Sequence, residues 1–389
     1  MRLRGSLLAL LAVCAGALAL VACGGSGAGH GGVGRAGPRA QARRSAAGDR
    51  HRGSGAGAAG PAGAGRSSDP ARRRVSAHDS ATAATAAAAA ARRGLAAAAL
   101  RPPARLVPFG GTGFAGAGVW RPVGRRVDGL AAVYETDLAP PGGGSPAGIA
   151  WMDTRLLYAR LYSGSESPGG GPYRYTAPIA PAQARTLVAA FNGGFLGGSG
   201  GGYYTQGEIV HPLVAGDASL VFYSDGRVTV GAWGGALRLT RDVVGVRQNL
   251  VPLVAGGRPT PQAANPNWIV WGATCGAVSC TGPGIENQWR SGVGVTADGA
   301  LVYAAGPGLS PLALARLLVR ARVVEGMQLD INPDWPVFVT YRPARPDGLA
   351  SPANGSKLLA STVQGPATFF DPSWPRDFIT MSARRTPLR

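Results

Sequence analysis

Histidine, cysteine and lysine are all scarce in this chain, and each shortage removes a class of chemistry. Beyond residue 78 the only histidine is His211, so a Ser-His-Asp triad in the C-terminal part has a single candidate base. His211 follows the apolar pair Ile209-Val210 and precedes Pro212, a setting that suits a structural side chain better than a catalytic one. Of four cysteines, Cys14 and Cys23 fall in an N-terminal leader, which leaves Cys275 and Cys280. In an exported chain that even remainder is expected to form one disulfide closing a small loop. Two cysteines and one histidine fall short of a structural zinc set. No metal site is therefore assigned and no cofactor is evident, with the need for a divalent metal left open. Nucleophile elbows, phosphate loops and dinucleotide fingerprints are missing; the Gly pairs are too frequent to serve as motifs.

Long apolar runs are lacking as well. The longest, Leu7 to Ala22, has 16 residues behind Arg2 and Arg4, which is short for a membrane span and suits an export signal. It ends in Leu20-Val21-Ala22-Cys23-Gly24, which resembles a bacterial lipobox and marks Cys23 for lipidation. The expected location is the outer face of the cell membrane as a lipoprotein, with ordinary secretion as the alternative.

The net charge of +19 is unevenly spread: residues 24–105 carry +11, and the 284 residues after them only +6. Lys357 is the one lysine beside 38 arginines, a bias that goes with the abundance of Ala and Gly rather than with nucleic-acid binding. Anionic lipid or wall polymer is the natural partner of the basic segment. The chain divides into a signal (1–23), a disordered Gly/Ala/Arg-rich tether (24–105) and a domain (106–389). Residues 24 to about 80 hold almost no large apolar side chain to offset chain entropy, and residues 81–100 suit a frayed alanine helix.

In the domain, short apolar runs alternate with Gly, Pro, Asn and Asp. Asp225-Gly226 and Asp298-Gly299 each sit between alternating runs and predict hairpins. Pro181 to Ala190 predicts a helix with proline in its first turn, and Ser310 to Arg322 predicts another with Ser310 as cap. Met327 and Leu329 predict a buried strand. These elements imply an α+β fold: a single domain with a large, mainly antiparallel or mixed twisted sheet and a few packed helices.

Seventeen acidic residues lie beyond residue 105, and Asp225 and Asp298 are accounted for by turns. Asp377 is expected to pair with Arg376 or a neighbour. Phe191-Asn192-Gly193-Gly194-Phe195, Arg290-Ser291-Gly292-Val293-Gly294-Val295 and Leu329-Asp330 follow one another in a fixed order between predicted elements. In that order and spacing they resemble the phosphodiester glycosidase family over about residues 127–381. The run Pro375-Arg376-Asp377-Phe378 is similar to the last strand of some bacterial members. The family usually continues Asp-Gly-Gly-Gly-Ser, whereas this chain has Asp330-Ile331-Asn332-Pro333-Asp334.

The resemblance implies an exported hydrolase that cleaves a sugar phosphodiester in an envelope polymer or glycoconjugate. The alternative is a non-catalytic glycan-binding lipoprotein on the same fold. For such a substrate, Arg290 is the candidate guanidinium for phosphate and Asp330 the candidate acid or base. Asn192, Gly193, Gly194, Asn332 and Asp334 are candidates for substrate binding, the glycines because a backbone without Cβ can approach closely. Trp289 or Trp335 could stack on a sugar face, and Glu208 is a possible second carboxylate. Each has a plainer reading: Asn-Pro-Asp and Asn-Gly-Gly are good turn chemistry, and Arg290 suits a strand-end ion pair.

Overall fold

The computed structural model describes residues 82, 85–86, 89–90, 93–94, 98–111, 113–265, 271, 288–331 and 333–384. The signal, the tether up to residue 81, Cys23, Cys275, Cys280 and Asn332 lie outside these. All described residues fall within one compact unit, Asp69–Arg389. Among them no helix is long and apolar enough to cross a membrane.

The described residues are mainly β, forming three antiparallel sheets in place of the single large sheet expected. The first contains β1 (Arg121–Val127), β2 (Leu130–Leu138), β3 (Ala147–Met152), β14 (Leu301–Leu309), β13 (Gln288–Thr296), β15 (Val323–Ile331), β11 (Val254–Ala255) and β12 (Arg258–Pro259), in that spatial order. The second runs β7 (Glu208–His211), β6 (Tyr203–Thr205), β10 (Val243–Gln248), β8 (Ala218–Tyr223), β9 (Val228–Ala232). The third runs β17 (Gly355–Lys357), β16 (Phe338–Tyr341), β5 (Leu187–Asn192), β18 (Phe378–Ala383), β4 (Leu157–Tyr162).

The central strands of the eight-stranded sheet are buried on both faces. Along β3, Ala150 and Met152 join a core shared with Phe191, Phe222, Met327 and Ile379, which come from all three sheets. Ile149 and Trp151, in alternation, join the opposite core with Leu314, Leu317 and Leu318 of α2 (Pro311–Arg320). Ser310 caps α2, its hydroxyl accepting the Ala313 N–H at 3.1 Å.

Both predicted Asp-Gly hairpins form, β8–β9 and β13–β14. The predicted helix at 181–190 does not. Only one turn, α1 (Pro181–Ala184), is helical, and Leu187–Asn192 becomes a fully buried strand between β16 and β18. Pairing on both edges outweighs the helical tendency of its alanines.

Candidate functional site

The three sheets meet where β5, β10, β13, β15 and β18 bring polar residues together. At the end of β15 the pairing with β13 slips: Arg290 faces Ile331, but Gly292 faces Gln328, so β15 carries one extra residue at Leu329-Asp330. A bulge of this kind re-aims a side chain and leaves main-chain groups out of the ladder. The Ser291 hydroxyl takes them up, accepting the Asp330 N–H at 3.1 Å and donating to Asp330 O at 3.3 Å.

The Asp330 carboxylate is thereby turned toward the third sheet. Its Oδ2 accepts from Arg376 Nη2 at 2.7 Å and its Oδ1 from the Ile331 N–H at 2.8 Å. Burial dominates its ionisation and pushes the pKa up to about 7; Arg376, the Ile331 N–H and Arg247 pull it down only in part. The Arg376 guanidinium lies 4.4 Å from the Trp335 ring centroid, and its Nε is buried with no hydrogen-bond partner among the described residues.

A second buried pair adjoins the first. Arg247 of β10 donates to Asp377 through Nε (2.9 Å to Oδ2) and Nη2 (3.2 Å to Oδ1), and both side chains are fully buried. Arg247 also donates to Gln248 O and Phe195 O. Ser167 Oγ adds a donor to Asp377 Oδ1 at 3.2 Å. The expected partner of Asp377 is Arg376 or a neighbour; its partner is Arg247, and Arg376 pairs with Asp330 instead. Arg376 and Asp377, adjacent in the segment that leads into β18, go to different partners: Arg376 to Asp330 and Asp377 to Arg247.

Asn192 ends β5 and ties the sheets together. Its Nδ2 donates to Ser291 Oγ at 3.0 Å and to Gly193 O at 2.9 Å; its Oδ1 accepts from Tyr303 Oη at 2.8 Å and from the Val337 N–H at 3.0 Å. The two glycines that follow are packed against the ion pair. A Cβ on Gly193 would come within 2.1 Å of Asp377 Oδ2, and one on Gly194 within 2.7 Å of Asn249 Oδ1. Gly193 N–H is spent on Asp377 O at 2.9 Å. Asn249 donates to Gln328 O and Leu329 O and accepts from the Phe195 N–H, which locks the Gly-rich loop onto β15.

Arg290 does not share this cluster. Ser291 and the bulged Asp330 face the three-sheet side, while Arg290 points toward the α2 side. There it donates to Leu309 O (2.8 Å), Trp271 O (3.1 Å) and Gln328 Oε1 (2.8 Å). Burial lowers its pKa to about 10. Alternation along β13 is the reason that Arg290 and Ser291, adjacent in sequence, part company. Asp334 is exposed in the turn after β15, and Glu208 accepts from Tyr173 Oη at 3.1 Å on β7. His211 donates from Nε2 to Pro168 O at 3.0 Å. No group of three or more metal-ligating side chains occurs among the described residues.

Sequence reasoning missed Arg247 and Asn249. The signal was present, since Arg247-Gln248-Asn249 is a run of polar residues following the apolar strand residues Val243 to Val246, and all three are fully buried. A buried polar run of this kind has to find partners, and it finds them in this cluster.

No protein-family model matches the chain, and no curated protein does. Solved structures give distant likenesses. The catalytic domain of zebrafish N-acetylglucosamine-1-phosphodiester alpha-N-acetylglucosaminidase, auto-inhibited by its pro-peptide, is 16% identical at a TM-score of 0.37, with 65% of this chain and 82% of that one covered. A hypothetical protein from Synechocystis is 13% identical at a TM-score of 0.35, covering 68% and 64%. A Burkholderia pseudomallei protein thought to be exported is 14% identical at a TM-score of 0.24, covering 66% and 56%.

Proposed function

We propose that the chain is a hydrolase of sugar phosphodiesters, with Asp330 as its proton-transferring group. The observation that carries this reading is a carboxyl with a pKa of about 7 set 2.7 Å from an arginine at the junction of three sheets. A group poised there holds its proton often enough to give it to a leaving alcohol and loses it readily enough to take one from water. Arg376, which already holds Asp330 through Nη2 and stacks on Trp335, is the guanidinium for the phosphate. Arg247, Asp377, Asn249 and Asn192 position these two. Arg290 supports β15 from the far face through Gln328. Water supplies the group that replaces the leaving alcohol, and the proton passing through Asp330 ends on that alcohol. The reading also draws on the order of Asn192-Gly193-Gly194, Arg290-Ser291-Gly292 and Leu329-Asp330 along the chain.

The test is hydrolysis of an N-acetylglucosamine-1-phosphodiester by the purified protein and by Asp330→Asn and Arg376→Gln. Turnover by the parent and its loss in both variants is expected. If Asp330 acts as an acid, activity falls as pH rises through about 7. Undiminished turnover in both variants refutes the assignment. A second reading, a non-catalytic glycan-binding protein, is favoured by one observation: Asp330 and Asn192 are only 3% and 1% exposed, and both arginines already hold carboxylates. Glycan binding with no turnover across a panel of phosphodiesters would select it.

A further inference from the structure

A groove of about 910 Å³ lies between the segment that leads into the domain, the turn at Pro259-Thr260-Pro261 and α2. It arises because α2 carries two apolar stripes. Leu314, Leu317 and Leu318 are fully buried in the core beneath the helix. Leu312, Arg316, Val319 and Arg320, spaced i, i+4, i+7 and i+8, form a second stripe that lines the groove. Leu312 and Val319 are only half-buried there. Phe109 extends this apolar floor, and Val107, which also lines the groove, is 60% exposed.

No Asp or Glu lines the groove, whereas Arg105, Arg316, Arg320 and Arg322 all do. None of the four pairs with a carboxylate among the described residues. The Arg320 guanidinium carbon lies 4.3 Å from the Phe109 ring centroid, and its Nη1 donates to Val107 O at 2.8 Å. Arg105 donates from Nε to Ala117 O at 3.1 Å. Arg316 and Arg322 are exposed. The C-terminal dipole of α2 accounts for a cation at 320 or 322, but not for Arg105, Arg316 or the half-buried floor. An apolar floor rimmed by cations fits an amphiphile: phosphate on the guanidiniums, and the apolar part below them. The segment 24–105, which carries +11, ends at this groove, so its positive charge continues onto the folded surface.

We propose that this groove docks the domain on an anionic phospholipid bilayer, with lipid phosphates on Arg316, Arg320 and Arg322 and Val107 dipping into the interface. Neither Asp330 nor Arg376 borders the groove, so the surface is separate from the hydrolytic site. The test is tryptophan quenching in the full chain on vesicles with brominated acyl chains, made with and without phosphatidylglycerol in phosphatidylcholine. It is read on the sedimented vesicles, so that attachment through the N-terminal segment alone gives none. Val107→Trp supplies the reporter, and the same measurement on the parent is subtracted for its own tryptophans. Extra quenching is expected with phosphatidylglycerol and not with phosphatidylcholine alone. Each arginine at an anionic surface contributes about fivefold, so Arg316→Gln with Arg322→Gln should weaken docking on the order of 20-fold and remove most of the quenching. Arg174→Gln with Arg345→Gln, at exposed positions outside the groove, should leave it unchanged. Quenching that is absent, equal on both kinds of vesicle, or undiminished in the Arg316 and Arg322 variant overturns the proposal. Equal loss in the Arg174 and Arg345 variant also overturns it, in favour of bulk charge. Dextran sulfate that abolishes quenching at a lower charge concentration than the vesicle lipid makes an anionic polymer the occupant and overturns the bilayer. Turnover is not read, so the outcome is independent of the hydrolase reading.

Discussion

Replacing Asp330 by Asn should abolish turnover and yet stabilise the protein above neutral pH. Asp330 is 4% exposed at its side chain, and its pKa rises from 3.8 to about 7 on folding because burial outweighs the pull of Arg376. A carboxyl whose folded pKa is raised binds a proton in the native state that the unfolded chain has already released. Its contribution is therefore fully present below about pH 4, is lost progressively as pH rises to about 7, and is constant above that. The interval is roughly three on the pH scale at about 1.4 kcal/mol each, so the ionised carboxylate costs the fold about 4 kcal/mol at most. Asparagine keeps the size and the bond from the Ile331 N–H and never ionises. Urea unfolding of parent and variant at pH 4, 6 and 8 is the assay. The two should agree at pH 4, and the variant should be more stable at pH 8 by up to about 4 kcal/mol. Taking the difference cancels Glu135, which burial also raises to about 7. A variant less stable at pH 8, or a difference that does not change with pH, refutes the claim that burial outweighs Arg376.

Other substitutions test the frame around that carboxyl. Arg247→Met strands Asp377 at a site with no exposure and should cost about 3–5 kcal/mol by denaturant unfolding. Asn249→Ala removes the links to Leu329 O and the Phe195 N–H; a loss of about 1–3 kcal/mol is expected, with faster amide exchange in residues 193–201. Ser310→Ala should cost about 1 kcal/mol through the cap of α2 and leave turnover unchanged.

Local chemistry made some elements visible in the sequence and hid others. Asp225-Gly226 and Asp298-Gly299 turn the chain by their own backbone preferences, so the hairpins needed no tertiary information. Ser310-Pro311 announced α2 in the same way. Residues 187–190 read as helix and are strand, because a strand buried on both faces loses the alternation that distinguishes it from a helix. The doubly buried sheet hid its own partition for the same reason, so three sheets were read as one. At the site, Asn192 and Asp330 were visible from their neighbours. The bulge that aims Asp330 depends on pairing across β13, and the partners of Arg376 and Asp377 come from β15 and β10, distant in sequence from both. Neither is a property of a short stretch.

The two buried ion pairs differ in a way that assigns them different roles. Asp377 accepts two bonds from Arg247 and one from Ser167, and its main chain also holds Gly193. Asp330 accepts one bond from Arg376 and one from the neighbouring N–H. Asp377 is thus held by three side-chain bonds, whereas Asp330 is held by a single side-chain bond and one main-chain N–H, and burial raises its pKa to about 7. Arg247 is engaged along its whole fork, with Asp377, Gln248 O and Phe195 O, whereas the Nε of Arg376 has no partner among the described residues. Under the proposed hydrolase reading, the pair on the β10 side is the brace, and the Asp330–Arg376 pair is the part that would let go of its partner when an anionic substrate competes for the guanidinium. Competition of that kind would free the carboxyl at the moment the phosphate arrives, which ties proton transfer to substrate binding through a single 2.7 Å contact.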